Sequence, residues 1–154
     1  MKKLICLFIC IINLTTLTGC DPGAFYYDYE YLNNNVVSIE LINYENDEAV
    51  ELFEKREKVK PFDFSKSVVI KVLDNEKISD FLLEFSEIPI LQVWRHLDSP
   101  KGESIKINYK DGSFDVICCN VAFSCQYDKY GNVAHFMGSG GGNALVELIN
   151  RSFS

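Results

Sequence analysis

The sequence predicts an α+β domain in which an antiparallel sheet of about five to six strands is covered on one face by two helices. Three observations support this fold class. Segments rich in β-branched residues follow one another along the chain, and turn-forming residues join the later ones. Two other segments repeat apolar residues with the period of an α-helix, so each must pack its apolar face on a neighbour. The length of 154 residues fits one such domain.

The first half of the domain supplies two strands and one helix. Residues 36–42 and 67–73 are rich in Val and Ile and lack a helical period, so each segment predicts a strand. Asp74 caps a helix that runs to about residue 87. Residues 46–59 fit either a helix or a strand. The buried face of the helix follows the spacing i, i+3, i+4 and i+7 and consists of Ile78, Phe81, Leu82 and Phe85.

The second half supplies strands linked by hairpins and the last helix. Asp111 and Gly112 form a pair that favours a tight hairpin, and residues 128–131 have the composition of another turn. Consecutive strands joined in this way form an antiparallel sheet. The expected elements are strands at 91–97, 104–110, 114–127 and 132–137, a Gly-rich loop at 138–142, and a helix from about 143 to 153 with Leu145, Leu148 and Ile149 inward.

The first 20 residues have the organisation of an export signal. Lys2 and Lys3 precede an apolar run at residues 4–14, which is about as long as a signal-peptide core and shorter than the roughly 20 residues that span a bilayer. After this run come Leu17, Thr18, Gly19 and Cys20, a box that resembles the lipobox of bacterial lipoproteins.

The resemblance to bacterial lipoproteins implies a lipid on the Cys20 sulfur and cleavage after Gly19. The chain then divides into a signal peptide at 1–19, a lipidated Cys with a short tether at 20–35, and a single domain at 36–154. Two or three acyl chains hold a protein on a membrane far more firmly than one. The expected location is the extracytoplasmic face of the cell membrane, which in a Gram-negative bacterium is the periplasmic side of the inner membrane.

Aromatic residues mark two candidate interaction segments. Five of the seven residues from 25 to 31 are aromatic, and Tyr27, Tyr29 and Tyr31 alternate with acids as on a strand edge. They form either a contact surface near the membrane interface or a segment packed on the domain, and the second interpretation is favoured. Trp94 is the other candidate, either as an interface anchor or as part of the core.

The acidic charge of the chain excludes one class of partner. The formal charge is −7, and loss of Lys2 and Lys3 with the signal peptide leaves 13 basic and 22 acidic residues, or −9. Nucleic acid is not an expected partner, because neutralising phosphates requires a basic face. The expected partners are the membrane, through the lipid on Cys20, and a protein that the folded domain binds.

The cysteines after the lipobox leave two interpretations open. If the chain reverses between Cys119 and Cys125, a disulfide from Cys118 or Cys119 to Cys125 becomes possible. Otherwise these side chains are apolar core. His96 and His135 lack the spacing of a metal-binding motif, so no metal and no cofactor are expected.

The sequence carries no catalytic motif. The Gly-rich residues 138–142 match neither a P-loop nor a dinucleotide-binding fingerprint. The favoured function is therefore a lipid-anchored, extracytoplasmic and non-catalytic binding domain. One specific form is an immunity-type protein that neutralises a basic toxin, since acidic charge would speed that association. The alternative is an envelope enzyme, either a hydrolase or a thiol oxidoreductase.

Overall fold

The structure is a computed structural model, and it describes residues 23–45, 67–91, 101–119, 124–136 and 142–154. The elements in these residues confirm the predicted α+β fold. In chain order they are β1 (Ala24–Phe25), α1 (Tyr29–Asn35), β2 (Val36–Glu45), β3 (Ser67–Val72), α2 (Asn75–Ser86), β4 (Ile90–Leu91), β5 (Lys101–Tyr109), β6 (Phe114–Cys118), β7 (Ser124–Tyr127), β8 (Val133–Phe136) and α3 (Gly142–Ser152).

Six of the described strands form one antiparallel sheet in the order β3-β2-β5-β6-β7-β8. β2 and β5 are neighbours in this sheet, and Ile39 lies opposite Ile107. On the next strand, Ile117 lies opposite Ile105. These four side chains are buried and share one face of the sheet, because residues two apart in a strand point to the same side.

Helix α2 packs its predicted apolar stripe into that same core. The helix follows Asp74, whose carbonyl accepts a hydrogen bond from the Lys77 N–H at 2.9 Å. Phe81, Leu82 and Phe85 are buried, as their helical spacing predicts. Burial of each large side chain contributes on the order of 1.5–3 kcal/mol to folding.

Helix α3 covers the core beside α2. Its buried side chains are the predicted ones, Leu145, Leu148 and Ile149. After the helix, the buried Phe153 ring meets the ring of Phe81 edge-on, with 6.2 Å between the ring centres. The carbonyl oxygens of Phe153 and Ser154 accept hydrogen bonds from the Lys71 ammonium group on β3, which ties the chain end to the sheet.

The opposite face of the sheet holds a second apolar cluster. Phe114 and Tyr127 lie opposite each other on β6 and β7, and their rings stack with 5.0 Å between centres. Two buried faces explain why β6 is continuously buried and does not alternate between apolar and polar residues. The cluster consists of Ile42, Phe114, Val116, Cys118, Cys125 and Tyr127.

The predicted Asp-Gly hairpin joins β5 to β6. Gly112 has φ +87°, a left-handed conformation in which a side chain is strained. A Cβ atom at this position would also lie 3.1 Å from the Cβ atom of Lys129. The carboxylate of Asp111 accepts hydrogen bonds from the N–H and hydroxyl groups of Ser113, which closes the turn.

The segment predicted as a tether at 20–35 is largely part of the domain. Ala24 and Phe25 pair with Leu91 and Ile90 in a separate two-stranded sheet. Tyr29 and Tyr31, which were expected on a strand edge, instead lie in the first turn of helix α1. The side chain of Leu32 in this helix is completely buried. The folded domain therefore extends back to Ala24, because this backbone and this side chain are ordered by contacts with the rest of the fold.

Other predicted elements lie wholly or partly outside the described residues. These are the ambiguous segment 46–59, most of the strand predicted at 91–97, and most of the loop at 138–142. The described part of the 91–97 prediction, Leu91, pairs with β1. None of the helices in the described ranges has the length and apolar character needed to cross a bilayer.

Candidate functional site

A buried carboxylate connects the N-terminal segment to the sheet. Asp115 lies on β6 and is 1% exposed. Its Oδ2 atom accepts hydrogen bonds from the hydroxyl groups of Tyr27 and Tyr109, each at 2.7 Å. Tyr109 comes from the neighbouring strand β5, and the Tyr27 ring packs on Phe85 of α2 with 5.0 Å between centres. We call Asp115, Tyr27 and Tyr109 the carboxylate clamp.

Burial sets the protonation behaviour of the clamp. Loss of hydration raises the pKa of Asp115, and hydrogen bonds from Tyr109, Tyr27 and the Gln126 side chain lower it in part. Burial also raises the pKa of both tyrosines, and the nearby Asp115 charge raises it further. The two hydroxyl groups therefore keep their protons and remain donors at neutral pH.

The carboxylate at the centre of the clamp is closed to solvent. The second carboxylate oxygen of Asp115, Oδ1, is buried and accepts no hydrogen bond from the described residues. The hydroxyl group of Ser124, on the neighbouring strand β7, is buried in the same way. A general base must come within hydrogen-bond reach of its substrate. A carboxylate with 1% exposure does not meet that condition, so the clamp holds two parts of the fold together.

The structure separates the three cysteines by face. β6 and β7 are antiparallel, so the chain reverses between Cys118 and Cys125, as one of the two sequence interpretations required. Cys118 and Cys125 belong to the same apolar cluster, whereas Cys119 packs on the core under the helices. None of the three forms a disulfide within the described residues, and Cys118 Sγ lies 3.1 Å from the hydroxyl oxygen of Ser104.

The environment of two thiols suppresses their reactivity. Burial is the main cause that raises the pKa of Cys119 and of Cys125 from 9.0 to about 12. Neighbouring Cys118 raises both values further, and a hydrogen bond with Tyr127 lowers that of Cys125 in part. The thiolate is the nucleophilic form of cysteine, so these side chains are unreactive at neutral pH.

The tyrosines predicted as interaction residues differ in their surroundings. Tyr27 is in the clamp, and the Tyr29 hydroxyl lies 3.0 Å from the Ser79 hydroxyl of α2. The Tyr31 ring is half-exposed and lies 6.1 Å from the Tyr109 ring. Tyr26 is the most exposed aromatic residue of this segment, at 59%. The segment is thus packed on the domain through Tyr27 and Tyr29, and Tyr26 and Tyr31 are available at the surface.

The outer surface of the helical layer is acidic. Within α2, α3 and their flanking residues, six acidic side chains and two basic ones are exposed. The two basic residues are Arg151 of α3, which is paired with Glu84 of α2, and Lys77. The Lys77 ammonium group lies 3.9 Å from a carboxylate oxygen of Asp74. The acidic side chains are Asp74, Glu76, Asp80, Glu84, Glu87 and Glu147, and we call this surface the acidic helical face.

A shallow groove runs between the two helices of this face. It has a volume of about 200 Å³, and the buried residues Ile88 and Leu148 lie along it. Its walls carry Glu84, Glu87 and Glu147. Leu83, one position before Glu84, is 49% exposed on α2.

The remaining predicted site residues lie outside the described part of the chain. Cys20, Trp94 and His96 are among them. His135 lies on β8 opposite Gln126, and its side chain is not described. Among the described residues, no cluster of three or more His, Cys, Asp or Glu side chains could hold a metal ion.

Neither Asp115 nor Tyr109 was predicted from the sequence as a site residue. The sequence does contain one signal for a buried Asp115. Asp115 and Ile117 are two residues apart in one strand and therefore point to the same face, and the Ile117 side chain is in the core. An acid at an inward position predicts a buried hydrogen-bond partner. The identity of that partner could not be predicted, because Tyr27 is 88 positions away from Asp115 in the chain.

The described residues define an α+β domain that buries Asp115, Cys118 and Cys125 and presents an acidic helical face at its surface. No family model, curated protein or solved structure matches the chain at a significant level.

Proposed function

We propose that this protein is a lipid-anchored, extracytoplasmic and non-catalytic binding module that recognises a basic protein partner. The acidic helical face is the observation that carries the proposal. Its six acidic side chains outnumber two basic ones, and one of those bases, Arg151, is already paired with Glu84. The lipobox at residues 17–20 supports the anchor.

Charge of one sign favours capture of a partner of the opposite sign. A surface with a strong local potential raises association rates by about 10- to 1,000-fold, and the effect weakens as salt is added. The face is built on two helices whose inner sides are fixed in the core, so its charges keep their positions. Leu83 adds one exposed apolar side chain to this surface. A protein that inactivates a basic toxin at the membrane is one specific form of this function.

The state of the thiols weighs against the alternative of a thiol oxidoreductase. Reactive cysteines of such enzymes have a lowered pKa. Here burial raises the pKa of Cys119 and Cys125 to about 12. The buried Asp115 is held by two tyrosines in a way that suits a structural role. Both observations favour the binding module.

The experiment captures a partner in living cells and then tests the charge dependence of its binding. A photo-crosslinking amino acid replaces Leu83, which is exposed and lies on the acidic helical face. The captured protein is identified, purified and titrated against the wild-type chain and the variant Asp80→Lys/Glu84→Lys. We expect a basic partner whose affinity falls at least about tenfold in this variant, since each unfavourable pair costs on the order of a kcal/mol. Affinity should also fall with added salt.

The matched control is Glu103→Lys, which reverses an exposed acid on β5 outside the acidic helical face. It should leave the affinity nearly unchanged. An acidic partner, or equal losses in the control and the helical variant, would refute the proposal. The anchor is tested separately with Cys20→Ser, which should abolish lipid labelling and leave an unprocessed precursor. Acylation and cleavage that persist in Cys20→Ser would show that the lipobox interpretation is wrong.

A further inference from the structure

The N-terminal end of the domain begins very close to the proposed lipid attachment point. Ala24 and Phe25 pair with β4, and only three residues, 21–23, lie between Cys20 and Ala24. An extended chain spans at most about 3.3–3.6 Å per residue, so Ala24 lies within about 15 Å of the lipidated residue. The head-group layer on each side of a bilayer takes up several ångströms of that distance. The domain surface around β1 is therefore held against the membrane.

The contacts of Phe25 and Tyr27 fix the start of the domain to the rest of the fold. Phe25 is half-buried and lies opposite Ile90 in the β1–β4 pair, with its ring 5.6 Å from that of Tyr27. Tyr27 is held by Asp115 on β6. These contacts connect the start of the domain to α2 and to the main sheet, so the segment cannot act as a flexible spacer while the domain is folded.

Tyr26 lies between these two fixed residues and points to solvent, with 59% of its surface exposed. Tyrosine has an apolar ring and a polar tip and is enriched where proteins meet the membrane–water interface. A fixed, exposed tyrosine two residues after Ala24, the first residue of β1, is in the position that such a contact requires.

We propose that Tyr26 inserts into the head-group interface of the membrane and that the short tether fixes the orientation of the domain on the bilayer. The proposal rests on the lipid anchor of the proposed function. The lipid surface is a zwitterionic one, because Asp28 and Glu30 follow Tyr26 by two and four residues, are exposed, and would be repelled by anionic head groups. In this orientation the surface around β1 faces the bilayer.

The test uses the lipidated full-length protein in vesicles of phosphatidylcholine, with and without brominated acyl chains, which quench nearby Trp fluorescence. Tyr26→Trp places a reporter at the proposed contact, and emission of the wild-type protein, from Trp94, is subtracted as background. Val68→Trp is the matched control. Val68 is 65% exposed and lies on edge strand β3, three strands away from the β6 strand that Tyr27 contacts. We expect loss of emission and a blue shift for Tyr26→Trp and neither for Val68→Trp.

A second variant tests the role of the tether. Ten Gly/Ser residues inserted before Gly23 add about 17 Å of r.m.s. reach and should reduce the quenching of Tyr26→Trp. Equal quenching of the two Trp variants, or no effect of the insertion, would overturn the proposed orientation. Mass spectrometry of the same sample separates the two proposals. A protein without lipid refutes the anchor and with it the docking, whereas a lipidated protein without quenching refutes the docking alone.

Discussion

The hydroxyl group of Tyr27 donates a 2.7 Å hydrogen bond to Oδ2 of Asp115, which lies 88 positions later in the chain. This bond joins a segment that the sequence assigned to a tether with a central strand of the sheet. Tyr109 donates a second bond to the same oxygen, so one buried atom connects three parts of the fold. The attachment of the N-terminal segment is therefore a specific, testable feature of this domain.

The first prediction concerns the strength of that attachment. Tyr27→Phe removes one donor from a buried carboxylate and should lower the free energy of unfolding by about 1.5–3 kcal/mol, the usual range for hydrogen bonds to charged groups. Tyr29→Phe is the control, because the bond between Tyr29 and Ser79 is exposed and worth about 1 kcal/mol or less. Urea unfolding measures both values. Equal losses in the two variants would contradict the role of the clamp.

The second prediction concerns pH. Burial raises the pKa of Asp115 above its ordinary value of 3.8, so the folded chain holds this proton more tightly than the unfolded chain does. Stability from this group is therefore fully present below about pH 3.8 and decreases as pH rises through the pKa of the folded state. Asp115→Asn retains an oxygen that accepts both tyrosine bonds and does not titrate. The unfolding free energy of wild type relative to Asp115→Asn should fall as pH rises above 3.8.

The comparison with Asp115→Asn also removes other titrating groups from the result. Hydrogen bonds lower the pKa of the exposed Asp111 and Asp128, so their contribution has the opposite sign and is lost as pH falls. Both residues are present in wild type and variant and cancel in the difference. A difference that stays constant with pH would show that burial does not perturb Asp115.

The third prediction concerns the inner face of α2. Phe85→Asp places an unpaired charge in the core at a cost of several kcal/mol and should unfold the domain, because Phe85 is fully buried. Leu83→Asp is the matched control two residues earlier on the exposed side of the same helix, and it should melt near the wild-type temperature. Circular dichroism melting distinguishes the two. Similar melting of both variants would mean that α2 does not present Phe85 to the core.

Helix α2 was predictable from the sequence because its evidence is local. Four apolar residues within eight positions share one side of a helix, whatever they pack against. The same reasoning identified the inward residues of α3. Strand β3 was also predictable, but its place at the edge of the sheet depends on the pairing order, which the sequence pattern does not encode.

Helix α1 could not be predicted in the same way. It has only seven residues and buries one of them, Leu32, so no apolar period develops. Its local signal is Asp28, whose side chain accepts a hydrogen bond from the Tyr31 N–H at 2.8 Å and caps the helix. The alternation of tyrosines with acids indicated a strand, and the cap outweighed it. Long-range contacts such as that of Tyr27 with Asp115 decided the rest.

The last prediction concerns the three thiols. A pKa of about 12 in place of 9.0 lowers the thiolate fraction of Cys119 and Cys125 about 1,000-fold at neutral pH, and alkylation by iodoacetamide requires the thiolate. In the native protein without reductant, peptide mapping should therefore show very slow labelling at both positions. Unfolding in urea, still without reductant, should expose all three cysteines and give complete labelling at each, because no disulfide joins the described cysteines. The pair most suited to a bridge is Cys118 with Cys125, since both belong to one cluster on adjacent strands, whereas Cys119 lies in the other. Labelling of Cys119 alone after unfolding would reveal that bridge and contradict the prediction, as would native labelling as fast as that in urea.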